Sequence, residues 1–484
     1  MKIFKKLILS LFVAGSVASC GDDYFDVNDS QTNPTFSTPE LSLPVAQKYS
    51  VDSYQGGYNS YNTLGNLWAY TWAAGGDFIF FTDETLYQVN TSFRTGMFNT
   101  TYLLPLRNYD VIEKNTDPQY SNYVAIAKIM KAYHFQNLVD AYGDVPYFEA
   151  LQGAANTKPA YTPAKDIYDD LLVQLTAAQT LISGATTTTL TPNALIDVMN
   201  GGDMNKWSRF ANTLKLRILL RQSNNNVTDF SSVNNGIGFI AATENVTCNP
   251  AYINDTNKQN PYFAAFGLTV AGDPASNRNA CRVTPFALAL VPTTDGRRSR
   301  LFSPASSGGA FTGIDQNSNG GATAATRSGV GPGILKSSSQ DAILMSGSES
   351  VFLQAEAVLR GRIAGNAQAL TAAGIQASFT QLGAVGPAPI IANYDGSIQF
   401  VITQKFIANM HLNGFENYTE FRRTGFPAVR VAPVDGKLPT ASQVPLAPNV
   451  PVRLLYPQSE VNTNPNVPAQ AVQDAFTNKI FWDN

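Results

Sequence analysis

Cysteine and histidine are the scarcest reactive side chains in this sequence. Its 484 residues include three cysteines, Cys20, Cys248 and Cys281, and two histidines, His134 and His411. Metal sites built from Cys and His ligands, and Ser-His-Asp triads, draw on these residues. The composition therefore leaves almost no material for either kind of chemistry.

Charge is also scarce, at 14% of the residues, where ordinary globular proteins have roughly a quarter. The net charge of −3 lacks the basic excess of a phosphate-binding surface, which argues against nucleic acid as a partner. Hydrophobic residues make up 44%, enough for a large core and too many for a disordered chain. The 21 Tyr and 28 Phe residues suit helix packing or stacking platforms for ligands.

The N-terminus has an apolar run that is too short to span a bilayer, which takes about 20 helical residues. This run, residues 7–13, follows three lysines and precedes Ala18-Ser19-Cys20. The order is typical of a lipoprotein signal peptide over residues 1–19, after which Cys20 is acylated. An ordinary secretory signal with a chance cysteine is the alternative. Residues 20–38 then form a tether, and the acyl chains anchor the protein to a membrane.

Two cysteines, Cys248 and Cys281, remain in the mature chain beyond the acylation site. Export to an oxidising compartment permits a disulfide between them, and two separately buried thiols are the alternative. Their spacing does not decide between the two.

Much of the chain has the apolar periodicity of amphipathic helices. Leu64, Trp68 and Trp72 recur at four-residue steps, which predicts one helical face that ends before Gly75-Gly76-Asp77. Further helices are predicted over residues 93–114, 122–142, 162–182, 207–222, 349–359, 364–382 and 398–413.

Residues 224–346 differ in composition from these helical stretches. Gly, Asn, Ser and Pro dominate there and predict loops and short strands, and the tail after Pro427 is Pro-rich and irregular. Helix pairs at spacings of roughly 35–45 residues indicate a tetratricopeptide-like array, although no sequence repeat is visible. The fold class is therefore predicted as mainly α, with tetratricopeptide-like helix pairs and a loop-rich subdomain that contains short strands.

Six segments, in sequence order, carry a family resemblance. Residues 135–147 end in a Gly-Asp-Val-Pro-Tyr turn, and residues 202–217 form a basic helix around Trp207. The other segments are residues 295–302, 349–357, 404–427 and 453–460. Together they resemble the SusD/RagB family, outer-membrane lipoproteins that partner TonB-dependent nutrient channels. Gly296 departs from the family pattern, which has proline in that Asp-Pro-Arg segment.

The resemblance covers nearly the whole mature chain and implies its organisation. It implies one SusD-like domain over residues 39–484, with helical blocks at about 39–223 and 347–427, a loop-rich insertion at about 224–346 and an irregular tail at 428–484. It also implies a lipid anchor at the outer membrane, facing the cell exterior. A SusC-like TonB-dependent channel is the implied partner, and it receives the bound nutrient.

Charged residues on the predicted helices are interpreted as scaffold. Glu349 and Glu356 lie seven residues apart among Phe and Leu, so we expect structural ion pairs rather than a catalytic pair. Basic residues on one Trp-, Phe- and Leu-rich helix are expected to pair with carboxylates between packed helices: Lys206, Arg209, Lys215 and Arg217.

One segment resembles a metal-binding loop without completing it. Asp315-x-Asn317-x-Asn319-Gly320 matches the start of an EF-hand, but Thr326 holds the twelfth position, where calcium needs a bidentate Glu. A polar surface loop is the simpler interpretation. His134 is expected in the core and His411 at the surface or near a helix dipole, so no metal site and no cofactor are predicted. A structural calcium ion at an unknown oxygen-rich site stays open.

The predicted ligand site combines an aromatic platform with a glycine loop. Trp68, Tyr70 and Trp72 offer rings on which a ligand can stack. The following Gly75-Gly76-Asp77 loop lets backbone and the Asp77 carboxylate approach that ligand. The alternative is that both tryptophans are ordinary core residues.

The favoured function is glycan capture without catalysis. Sugars stack on aromatic rings and hydrogen-bond to Asn, Gln and Asp, and this chain is rich in Tyr, Phe, Asn and Gln. A peptide cargo in the same uptake role is one alternative, and a helical-repeat surface adaptor without a small ligand is another. A surface glycoside hydrolase that uses two carboxylates is the least favoured. The protein is therefore not expected to be an enzyme.

Overall fold

α-Helices dominate the computed structural model of the chain, which describes residues 37–318, 323–428 and 450–483. The predicted signal peptide, Cys20 and almost all of the predicted tether lie outside these residues and stay predictions. Contacts group Pro39–Asn484 into one unit. Within the described part of the chain, no helix is both long and apolar enough to cross a membrane.

The first helical block contains the longest helices. Its members are α1 Pro39–Gln55, α2 Tyr61–Trp68, α3 Thr82–Thr85, α4 Thr95–Thr101, α5 Arg107–Glu113, α6 Ser121–Tyr142, α7 Ala164–Ser183 and α8 Met204–Arg221. A π-helical turn, Tyr102–Leu106, joins α4 to α5 and contains Pro105, which has no backbone N–H to donate. α5 packs on α6, α6 on α7 and α7 on α8, so successive helices are neighbours in space.

The remaining helices are short in the insertion and longer in the second block. They are α9 Pro261–Phe266, α10 Ser276–Ala280, α11 Pro285–Leu290, α12 Arg298–Leu301, α13 Gly347–Leu359, α14 Ala367–Leu382, α15 Ala388–Ala392, α16 Ile398–Asn409, α17 Gly414–Thr424, α18 Gln458–Thr463 and α19 Asp474–Thr477. α13 packs on α14 and α16, and α17 packs on α2 of the first block. The two helical blocks therefore share one core.

Short antiparallel strands lie mostly in the insertion, and one pair joins the insertion to the first block. They are β1 Trp72–Ala74, β2 Val145–Pro146, β3 Tyr161–Thr162, β4 Val246–Cys248, β5 Cys281–Val283, β6 Phe302–Ser303, β7 Gly329–Val330 and β8 Ala342–Met345. β1 pairs with β5, β2 with β3, β4 with β8 and β6 with β7. The predicted mainly α fold with short strands in a loop-rich subdomain is confirmed.

The helix predicted to carry Trp68 and Trp72 on one face ends sooner than expected. α2 stops at Trp68, and Tyr70 adopts a left-handed backbone conformation with a φ of 56°. The N–H of Thr71 donates to Asn66 O at 2.9 Å, which closes the helix end. Trp72 then enters β1, where it lies opposite Val283. The one-helix prediction is therefore wrong.

Buried ion pairs join α8, α13 and α17. Arg217 Nη1 lies 3.2 Å from Glu349 Oε1, and Arg423 contacts Glu356 at 2.7 Å and Glu420 at 2.6 Å. Burial alone would raise the pKa of Glu356, but Arg423 holds it below its ordinary value. The prediction that Glu349 and Glu356 form ion pairs is confirmed.

The basic residues of α8 follow the prediction only in part. Arg209 pairs with Glu244 at 2.6 Å, and Arg217 pairs with Glu349 at 3.2 Å. Lys206 and Lys215 form no ion pair among the described residues, so the prediction is wrong for these two. Lys215 Nζ instead donates to the neutral Gln179 Oε1 at 2.7 Å, and burial lowers the pKa of Lys215 to about 8.

Cys248 and Cys281 are two separate, buried thiols. Cys248 lies in β4 and Cys281 in β5, which belong to different strand pairs. Burial raises the pKa of both thiols, so they stay protonated and inert. Of the two possibilities left by the sequence, separate buried thiols are therefore correct and a Cys248–Cys281 disulfide is wrong.

Candidate functional site

Trp68, the last residue of α2, lies in the hydrophobic core. It is 1% exposed, its ring stacks on Phe93 with centroids 5.9 Å apart, and Tyr418 packs against its edge at 5.2 Å. Its Nε1 donates to Glu84 O at 3.3 Å. A ring so enclosed presents no face to a ligand.

Trp72 is completely buried and is held by a histidine. Its Nε1 donates to His411 Nδ1 at 2.7 Å, which requires that nitrogen to be unprotonated. Burial lowers the pKa of His411 to about 3, so the imidazole is neutral at physiological pH. The predicted position of His411 at the surface or near a helix dipole is wrong, because it is a core partner of Trp72.

Tyr70 is 4% exposed and anchors the EF-hand-like segment. Its hydroxyl donates to Asp315 Oδ1 at 2.8 Å, and Asn317 Oδ1 accepts from Thr85 Oγ1 at 2.7 Å. These oxygens therefore dock a polar loop onto the helical block, and the last two positions of the motif lie outside the described residues. Among the described residues, no three His, Cys, Asp or Glu side chains are grouped to hold a metal ion.

The aromatic platform predicted at Trp68, Tyr70 and Trp72 is wrong, because all three rings are buried. The alternative, that the tryptophans are core residues, describes both. Four-residue spacing marks one face of a helix without saying whether that face meets solvent or core.

Asp77 is the one predicted ligand residue that lies at the surface. Its Oδ1 accepts the N–H of Ala324 at 2.7 Å, and Gly75 N–H donates to Ala280 O at 2.8 Å. A Cβ on Gly75 would lie 3.0 Å from the Ala324 Cβ, so the glycine lets two chain segments approach closely. Contact between Asp77 and a ligand stays a prediction.

The tip of the Asp77 loop is apolar and exposed. Phe78 is 40% exposed and Ile79 98%. The Phe78 N–H donates to Gly75 O at 2.9 Å, which fixes a tight turn at this point of the loop. The Phe78 ring, one residue after Asp77, is therefore partly exposed to solvent, unlike the buried rings of Trp68, Tyr70 and Trp72.

A cavity of about 440 Å³ adjoins this loop. Arg282, one of the lining residues, donates from Nε to Ala324 O at 2.7 Å. The N–H of the same Ala324 donates to Asp77 Oδ1. Ala324 therefore links Asp77 in the loop to Arg282 in the cavity lining. The lining combines guanidinium and amide groups with an aromatic ring: Arg278, Asn279, Arg282, Arg327 and Phe266.

The guanidinium groups of the cavity form no ion pairs among the described residues. Arg282 is buried, which lowers its pKa, and the charge of Asp77 opposes that shift. Arg327 Nη1 donates to Thr326 O at 3.0 Å, but Arg327 Nε is buried without a partner in the described part of the chain. A buried donor without an acceptor costs about 1–3 kcal/mol, so an oxygen supplied by a ligand would stabilise this site.

The cavity residues were missed by the sequence-based prediction. Arg278, Arg282 and Arg327 lie in a stretch dominated by Gly, Asn, Ser and Pro, in a chain that is poor in charge. A local concentration of arginine in such a chain was the sequence signal that could have pointed to this cavity. The strand pairing of β1 with β5, which places Arg282 opposite Ala73 and near the Asp77 loop, joins segments far apart in sequence.

The chain matches known proteins over most of its length. The SusD-like family model, described as starch-binding and associating with the outer membrane, matches residues 45–457. A solved chitin-binding protein superimposes with a TM-score of 0.73 and 23% identity, over 92% of this chain and 100% of its own. A SusD homologue from Bacteroides uniformis gives 0.73 and 21% identity, over 92% of this chain and 99% of its own. A chitin-binding SusD homologue from Flavobacterium johnsoniae gives 0.73 and 20% identity, over 91% and 98%.

No curated protein sequence matches the chain significantly. At these identities the solved structures establish a shared fold, while the family model covers most of the sequence. The chain therefore belongs to the SusD-like family.

Proposed function

We propose that the protein binds a glycan at its loop-rich face and delivers it to a SusC-like TonB-dependent channel. The acylated Cys20 anchors it to the outer membrane, with the binding face toward the cell exterior. The observation that carries the proposal is the cavity lined by Arg278, Asn279 and Arg327. The exposed ring of Phe78, in the loop that Asp77 joins to Ala324, is the second element of the proposed site.

The chemistry of this face suits a neutral, hydroxyl-rich ligand. Guanidinium and amide N–H groups donate to sugar oxygens, and the Asn279 carbonyl accepts from a sugar hydroxyl. The unpartnered Nε of Arg327 gains an acceptor in this way. The Phe78 ring supplies a surface on which the C–H face of a sugar can pack.

The family and the similar structures guide the choice of glycan. The family description names starch, and two of the solved structures are described as chitin-binding. Chitin and starch oligosaccharides are therefore the first ligands to test. Two alternative functions predict a different result. A protein that takes up peptides in the same way, or a surface adaptor without a small ligand, would bind neither sugar.

The bound glycan leaves unhydrolysed. A glycosidase needs two accessible carboxylates that flank the scissile bond, at about 5–9.5 Å from each other. Glu349 and Glu356 are buried and engaged by arginines. Asp77, the exposed acid of the neighbouring loop, already accepts the Ala324 N–H, and the described residues that line the cavity include no Asp or Glu. Incubation with chitohexaose or maltoheptaose should therefore release no shorter products.

Calorimetric titration with chitohexaose and maltoheptaose tests the binding proposal. We expect at least one of them to bind, and Arg327→Gln and Phe78→Ala to weaken that binding several-fold. Leu195→Ala, which removes an apolar side chain that is 86% exposed in the first helical block, is the matched control. Absence of binding to both sugars, or equal affinity in all variants, contradicts the proposed site.

The partner channel rests on family membership, so it needs its own test. Stable assemblies of this kind bury more than about 2,000 Å². Purification from native membranes in mild detergent should therefore bring a large β-barrel protein with this chain. Recovery of the lipoprotein alone contradicts the partnership, and a Cys20→Ala variant released from the membrane is the control for anchoring.

A further inference from the structure

A second cavity, of about 600 Å³, lies among the helices and is lined by a different set of residues. Its walls come from the π-helical turn with α5, from residues 146–159 and from α18. The lining is largely apolar: Tyr102, Leu103, Val111, Pro146, Leu151 and Pro159.

The apolar wall is accessible and locally fixed. Leu103 is 62% exposed and Val111 46%. The π-helical turn that carries Leu103 is of a kind common at functional sites, and the Tyr102 hydroxyl donates to Pro146 O at 2.6 Å across the cavity wall. Leu151 is held in the left-handed region with a φ of 63°, a conformation that costs free energy for a bulky side chain.

One carboxylate in this lining lacks a cation. Glu460 Oε2 accepts from the Tyr161 hydroxyl at 3.3 Å, but no Lys or Arg of the described residues pairs with it. The other acid in the lining, Asp110, is neutralised by Lys114 at 2.6 Å and Lys131 at 2.9 Å. Glu460 is half-buried, and this burial raises its pKa.

The remaining charge in the lining is positive and lies in solvent. Arg107 is exposed and forms no ion pair within the described part of the chain. The cavity therefore offers aliphatic walls, a half-buried carboxylate and an outer guanidinium. A neutral glycan would place its hydroxyls against Leu and Val side chains and would leave the Glu460 carboxylate without a counter-charge.

We propose that this cavity binds a short peptide in which a lysine or arginine lies between apolar residues. The apolar side chains of the peptide contact Leu103, Val111 and Pro146, and its cation pairs with Glu460. Arg107 lies where it can meet a carbonyl or carboxylate of the peptide at the rim. This site is independent of the glycan site, because the two cavities share no lining residue.

Two matched peptides test the proposal on the full mature protein in mild detergent. N-acetyl-leucyl-lysyl-leucinamide carries the cation, and N-acetyl-leucyl-glutaminyl-leucinamide replaces it with a neutral amide. By calorimetry we expect the lysyl peptide to bind at least tenfold more tightly than the glutaminyl peptide. Glu460→Gln should abolish this preference, whereas Leu103→Ser should weaken both peptides.

Asp166→Asn is the control, because it neutralises an exposed acid on α7 outside the cavity and should keep the preference. Equal affinity for the two peptides, no binding of the lysyl peptide at millimolar concentration, or an unchanged preference in Glu460→Gln overturns the proposal. Thermal unfolding and glycan titration of Glu460→Gln should match the parent protein. Should that variant fail to fold, the preference of the parent protein and the effect of Leu103→Ser still decide.

Discussion

Arginine has opposite roles in the helical core and at the loop-rich face. In the core, Arg423 is fully buried and contacts both Glu356 and Glu420. At the loop-rich face, Arg327 has a buried Nε without a partner in the described residues, and Arg278 is exposed without an ion pair there. The core arginines are held by carboxylates that fix the fold, whereas Arg278 and Arg327 have donors that the proposed glycan would use.

Removing a core arginine is the largest expected disturbance. Arg423→Met leaves Glu356 and Glu420 buried with less counter-charge, which should cost about 3–5 kcal/mol of unfolding free energy. Arg278→Met, at the cavity, should stay within about 0.5 kcal/mol of the parent protein. Urea unfolding of both variants measures this contrast. Similar losses for the two would remove the distinction between the regions.

A second comparison uses a buried ring and an exposed one. Trp72→Ala removes a completely buried indole and its hydrogen bond to His411, which should cost about 3–5 kcal/mol of stability. Glycan affinity should be unchanged at temperatures where the variant is folded. A stable Trp72→Ala protein with lost glycan binding would restore Trp72 as a ligand residue.

The core should also be sensitive to acid. Burial lowers the pKa of His134 and His411 to about 3, whereas both protonate near 6.5 in the unfolded chain. The unfolded state therefore binds more protons as the pH falls below 6.5, and stability declines. The expected loss between pH 7 and pH 5 is about 2 kcal/mol per histidine. Urea unfolding at both values tests this, and His134→Gln should reduce the slope by about half.

The smallest expected effect on folding is at the exposed ring. Phe78→Ala should change unfolding free energy by less than about 0.5 kcal/mol, because the side chain is 40% exposed. It should nevertheless weaken glycan binding by roughly 1–2 kcal/mol, the scale of a stacking contact. Calorimetry and thermal unfolding on the same preparation separate the two. A destabilised variant with normal affinity would place Phe78 in the scaffold.

Sequence periodicity predicted the parts of the fold that depend on neighbours along the chain. α6 and α8 extend close to their predicted bounds, because apolar residues at three- and four-residue steps bury one face of a helix. The pairing of Glu349 and Glu356 with arginines also followed from their apolar surroundings. Lys215 differs because its partner is the neutral Gln179, which residue spacing does not reveal.

The candidate site depended on contacts that periodicity does not encode. Trp72 leaves the helix because Tyr70 turns the chain and Val283, far along the sequence, supplies a strand partner. The same pairing brings Arg282 next to the Asp77 loop. The sequence-based prediction therefore named the Asp77 loop, whose contact with a ligand stays a prediction, and missed the cavity residues.

A crystal structure with the most tightly bound oligosaccharide tests the central claim most directly. The account predicts sugar oxygens within hydrogen-bond distance of Arg278, Asn279 and the Arg327 Nε, with a sugar ring against Phe78. Sugar bound on another surface, with this cavity unchanged and unoccupied, would contradict it.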